Sequence, residues 1–191
     1  LKSSGVVDLC QPLLDQLAES SGELVRLGVV DVDHITWVAL SQGARKGLRY
    51  DPDTGTDVKL SCSASGHAWL ATLDDDDAIA LLSKQGLASA KEFGPHAPGS
   101  IAAVMKAVRQ ARKQGYATAS DTYAPGLSAV SCVIRPAGHG AVGVLAISGP
   151  SVRLTPARLE ALAPALTATA AEIAHVAGAS ALLQREFARA G

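Results

Sequence analysis

Leu127-Ser128-Ala129-Val130-Ser131-Cys132-Val133-Ile134 and Ala141-Val142-Gly143-Val144-Leu145-Ala146-Ile147, joined by Arg135-Pro136-Ala137-Gly138-His139-Gly140, decide the fold. Each run has strand length and apolar, β-favouring composition, and the Gly/Pro segment between them marks a reversal. Upstream, residues 24–30 and 35–40 flank Asp31-Val32-Asp33-His34 and read as a hairpin. Hairpins imply a mixed or antiparallel sheet. Two shorter strands are expected at 58–61 and 116–119.

Helices fill the intervals. Leu9, Cys10, Leu13, Leu14 and Leu17 recur at helical spacing, with Pro12 predicting a kink or a helix start. Asp74 to Asp77 cap one helix, their charge suiting its positive end. Ser100 caps another, which carries Val104, Met105 and Val108 and stops at Gly115. Thr155-Pro156 opens a long Ala- and Leu-rich helix. The order predicts an α+β domain.

Composition sets limits. The 191 residues are 48% hydrophobic and 18% charged, which excludes disorder. No apolar run approaches the ~20 residues of a membrane span, and no secretory signal opens the chain, so no membrane association is expected. The net charge is −1 and the basic residues are scattered, without the stripe that nucleic-acid binding favours. Cys10, Cys62 and Cys132 show neither CxxC spacing nor a disulfide framework, which fits a reducing, cytoplasmic setting. His34, His67, His96, His139 and His175 lack metal-ligand spacing, so neither metal nor cofactor is expected.

The corner Cys62-Ser63-Ala64-Ser65-Gly66-His67-Ala68 is the most informative chemical feature. Small residues permit close approach, and a helix start offers free N–H groups to an anion. An ordinary cap by Ser63 stands beside that reading. Cys62 near His67 admits a thiol nucleophile, but without a third orienting group it reads better as a small buried cysteine.

Five segments in order carry a resemblance: residues 12–19 with Gly22-Glu23, the run Leu60 to Ala71, Gly115-Tyr116, Pro125-Gly126-Leu127, and Ala146-Ile147-Ser148-Gly149-Pro150. Together they are similar to the C-terminal effector-binding domain of IclR-family bacterial transcription regulators. The resemblance implies a GAF/profilin-like, mostly antiparallel sheet with helices on both faces, sensing a ligand without catalysis. It divides the chain into residues 1–7 from a linker helix, an effector domain over 8–178 and a C-terminal helical tail over 179–191. An N-terminal winged helix-turn-helix domain, absent from this sequence, would hold the DNA. Apolar stripes with Leu9 and Leu13 on one helix and Leu182, Leu183 and Phe187 near the C-terminus predict a dimer or tetramer.

The resemblance also implies site residues. Backbone donors would be Ala64 and Ser65, within the Ser63–Gly66 corner. Walls would be Tyr50, Val58, Leu127, Ala129, Ala146 and Ser148, and Ala119 stands where relatives offer an acid. Asp121 or Ser120 would be the nearby substitute if the short strand is shifted by one or two residues. Small side chains at 119, 129 and 146 favour an aromatic or alkyl carboxylate, with its acid at the corner, over a tiny polar effector. Two alternatives are a thiol redox enzyme on the same scaffold and an oligomerisation module with a vestigial pocket.

Overall fold

The computed structural model describes residues 4–52 and 57–179, and Leu182, Leu183 and Phe187 lie outside them. Its frame is a five-stranded, wholly antiparallel sheet in the order β2-β1-β5-β4-β3. The strands are β1 (Leu24–Val30), β2 (Ile35–Gln42), β3 (Ala117–Ser120), β4 (Leu127–Ile134) and β5 (Gly143–Pro150). The helices are α1 (Ser4–Ser21), α2 (Ala64–Leu70), α3 (Asp75–Gln85), α4 (Ile101–Gln114) and α5 (Pro156–Ala179).

Strand alternation sorts the core into two layers. Val25, Leu27, Val130, Cys132, Ile134, Leu145 and Ile147 point one way, onto Leu14 and Leu17 of α1 and Leu166 and Ile173 of α5. The intervening residues, Val144 and Val133 among them, face α2, α3 and α4. With helices on both sides every residue of β5 is buried, which is why its sequence reads as a continuous apolar run. The sheet face beneath α2 is built from Ala117, Ala119 and Ala129, and Ala64 and Ala68 of α2 sit on it. Side chains this small let the helix approach closely.

Most expected elements form, and their ends follow local chemistry. Ser100 accepts from the Ala103 N–H at 3.1 Å and caps α4. Gly115 ends it with φ of 87°, a left-handed turn that favours glycine. Pro12 lies inside a helix that continues through it, and α1 runs unbroken past residues 7 and 8.

The expected strand at 58–61 does not form. Residues 57–59 are irregular and 60–62 turn. The side-chain amide of Gln85 takes the place of a neighbouring strand: it accepts from Leu60 N at 2.8 Å and donates to the Val58 carbonyl at 2.9 Å. A further departure is Ser148-Gly149-Pro150, beyond the expected strand run that ended at Ile147. These residues extend β5 and pair with Leu127, Ser128 and Ala129.

Candidate functional site

The site begins at the helix start. Ser63, extended at φ −105° and ψ 145°, accepts from Gly66 N at 3.0 Å, so α2 opens at Ala64. Gly66 presses on the preceding turn; a Cβ there would come 2.5 Å from the Leu60 Cα and carbonyl oxygen. His67 is buried, with Nε2 donating to the Ser61 carbonyl at 2.8 Å. Burial holds its pKa below the usual histidine value, opposed by that hydrogen bond. The imidazole therefore stays neutral and ties the corner together.

A cleft opens between this corner and the sheet, about 440 Å³ counting its mouth. Nine of the twelve sequence-named positions line it: Ser63, Ala64 and Ser65 from the corner, Val58 beside them, and Ala119, Leu127, Ala129, Ala146 and Ser148 from the sheet.

Three named positions are not in the lining. Gly66 is turned into the Leu60 contact and its N–H is already taken by Ser63. Asp121, at φ 58°, folds its carboxylate back onto Gly126 N at 2.6 Å. Tyr50 stands one layer behind, its ring centroid 5.6 Å from the Arg26 guanidinium carbon.

Five lining residues escaped the sequence reading: Arg26, Trp37, Thr122, Tyr123 and Ser128. Arg26 matters most, as the one charged side chain in the lining among the described residues. Its guanidinium carbon lies 4.1 Å from the Trp37 ring centroid, a cation–π contact. Its Nε is buried without a hydrogen-bond partner. Burial lowers its pKa, while Tyr50 and Tyr123 raise it; an arginine remains charged at neutral pH regardless. The sequence did hold a signal: a lone arginine inside an apolar strand whose sheet is covered on both faces must point into the structure.

The thiols are poorly suited to chemistry. Cys10, Cys62 and Cys132 are free and buried. Burial pushes Cys62 and Cys132 up to about 12, with Lys59 pulling Cys62 down, and burial raises Cys10 as well. The thiolate is the nucleophile, so such groups are inert at neutral pH. Among the described residues no cluster of His, Cys, Asp or Glu is arranged to hold a metal, and no helix is long and apolar enough to cross a membrane.

The profile of the bacterial transcriptional regulator IclR C-terminal family matches residues 1–175. The chain belongs to that family. The regulator BhcR of Paracoccus denitrificans is 29% identical over 174 residues, covering 91% of this chain and 61% of BhcR. The acetate operon repressor of Salmonella typhimurium is 28% identical, covering 91% of this chain and 62% of the repressor. The chain thus spans about three fifths of these IclR-type relatives, which are named as regulators and repressors and not as enzymes. In structure it is similar to the inducer-binding domain of Acinetobacter PobR, crystallised as a double mutant with 3-hydroxybenzoic acid. There the TM-score is 0.77 at 20% identity, over 88% of this chain and 97% of that one. The antiparallel α+β architecture is that of IclR C-terminal domains.

Proposed function

We propose that this chain is the effector-sensing part of an IclR-type transcription regulator and that its effector is a small organic carboxylate with an aromatic or alkyl body. One observation carries the charge of the ligand: among the described residues Arg26 is the only charged side chain lining the cleft, and none of them brings a carboxylate to it. A buried cation with a free N–H is matched best by an anion that brings its own acceptors. The apolar walls at Leu127, Ala129 and Ala146 suit the body, and the aromatic acid held by the PobR domain supports the class. DNA would be contacted by another domain of a longer, cytoplasmic protein, and copies of this domain would associate as a dimer or tetramer.

The test is thermal melting of the purified chain with organic acids and their methyl esters. A ligand that binds only the folded state raises the melting temperature in proportion to occupancy. Acids should stabilise and esters should not, and Ala64→Phe, which fills the cleft, should abolish the shift. No stabilisation by any acid would refute this reading and favour an oligomerisation module with a vestigial pocket.

A further inference from the structure

A second hollow, of about 250 Å³, lies at the other end of α2, where the last turn of α4 and the end of β4 meet it. Its lining shares no residue with the cleft described above. The rows of side chains that converge on it shrink toward it. Ala64, Ala68 and Ala71 follow one another at i, i+4 and i+7 along α2 and its C-terminal cap, against the sheet. On α4 the buried row Val104, Val108 and Ala111 runs out at Gly115, where the helix ends. Val133 of β4 closes the far side. Folded interiors leave few voids larger than a water molecule, and an apolar cavity of about 150 Å³ already admits benzene.

The rim brings two guanidinium groups and, among the described residues, no carboxylate. Arg112 is fully engaged. Its Nε donates to the Ala71 carbonyl at 3.1 Å, its Nη2 to the Leu73 carbonyl at 2.9 Å and its Nη1 to Asp75 at 3.0 Å. It therefore holds the wall of the hollow, and Asp75 answers its charge. Arg135, exposed at the rim, makes no hydrogen bond and no ion pair among the described residues. The Tyr116 hydroxyl likewise makes no hydrogen bond among them. Thr72 adds no donor, because its hydroxyl donates to the Trp69 carbonyl at 2.7 Å.

A planar cationic fork without a partner, set over an apolar interior, is matched by an anion that carries an apolar body. A carboxylate or sulfonate accepts from the fork through charge-assisted bonds, and the body covers alanine and valine methyl groups. One free guanidinium matches a single negative charge.

We propose that this hollow is a second ligand site, taking a compact organic monoanion with its charged end on Arg135 and its body against Ala68, Ala71, Ala111 and Val133. The site is independent of the effector reading, since the two linings have no residue in common.

Amide chemical-shift mapping of the isotope-labelled chain tests it, with benzoate, hexanoate and benzenesulfonate set against their uncharged amides. At least one anion should move the amide signals of Ala71, Thr72, Gly115 and Tyr116 to saturation, at a concentration tenfold or more below that needed by its amide. Arg135→Gln, a change at an exposed position, should weaken this binding tenfold or more and leave any shifts at Ser65 and Ala129 of the cleft as they were. Val133→Phe, which fills the hollow, should abolish it. Signals at 71, 72, 115 and 116 that stay still with every anion at millimolar concentration would overturn the proposal, and shifts at Ser65 and Ala129 alone would do so while supporting the cleft. Equal binding of anion and amide, or an Arg135→Gln variant that binds as the parent does, would overturn it as well.

Discussion

Gln85, the last residue of α3, holds Leu60 by its backbone: the Leu60 N–H donates to Gln85 Oε1 at 2.8 Å. The same amide donates to the Val58 carbonyl, so one side chain supplies both bonds that a partner strand would have made. Val58 lines the cleft and Ser63 follows three residues after Leu60.

Gln85→Leu should therefore loosen one wall of the site. It leaves a donor and an acceptor in a half-buried segment without partners, and each such loss costs about 1–3 kcal/mol when water is excluded. With partial access to water, a total near 2 kcal/mol is expected, together with weaker acid binding. Urea unfolding and titration check this, and unchanged affinity in a destabilised variant would show that the wall acts in stability alone.

Gly66→Ala probes how closely α2 lies on the turn before it. The new methyl would meet Leu60 Cα and its carbonyl oxygen at 2.5 Å, and backbone cannot rotate away as a flexible side chain would. Overpacking of this kind costs about 1–3 kcal/mol. A loss below about 0.5 kcal/mol by denaturant titration would mean that α2 can shift freely.

His67 predicts a pH dependence. Its folded pKa lies below the ordinary 6.5, so the folded state binds fewer protons than the unfolded one. Its contribution is complete above that ordinary value and is lost as pH falls through the folded value. His34 has the opposite sign, since its hydrogen bond to Asp33 raises its pKa; its contribution is complete below 6.5 and is lost as pH rises through the raised value. It is far more exposed than His67, which makes it the weaker term. Melting temperature should drop from about pH 7 to pH 5, and His67→Gln, which keeps a donor for Ser61, should flatten the drop. Equal slopes in the two proteins would reject the role of His67.

Association has a visible candidate surface. Leu9 on α1 is 56% exposed and Leu40 on β2 is 48% exposed, and Gln11 bonds the Leu40 carbonyl at 3.0 Å, which brings the two elements together. Exposed apolar residues grouped in this way mark contacts between chains. Light scattering at micromolar concentration should report a dimer or larger species, and Leu9→Glu should shift it toward monomer. A monomer in the parent protein would reject the association.

Much of the frame was legible because its causes are local. The runs 127–134 and 141–147 read as paired strands and pair over 127–134 and 143–150, because each carries its strand propensity in its own residues. Ser100 and Gly115 bound α4 because a cap needs only a side chain within reach and a left-handed turn needs only a missing Cβ. Nine cleft positions were legible for a different reason, the resemblance to IclR-type domains carried by motifs such as Leu60 to Ala71. Residues 58–61 show where local reading stops. Their pattern suits a strand, but whether a sheet edge was available depended on α3, and there the partner is an amide.

Arg26 marks the same boundary. Its alternation with Val25 and Leu27 puts it on the opposite face of β1, which follows from the strand period by itself. That this face becomes a cleft depends on β5, the last strand, pairing with β1, the first, and on α2 covering the sheet. The chemistry of the cleft is still more remote. Whether Ser65 and Thr122 present protons or lone pairs is set by Ser131 and by the Cys62 carbonyl, each at least 60 residues away along the chain. Sequence alone determined most of the strands, the ends of α4 and the family, because propensity and pattern act between neighbours. The tertiary structure decided the charge and hydrogen-bonding sense of the cleft, because a proton goes to whichever acceptor the fold brings within reach.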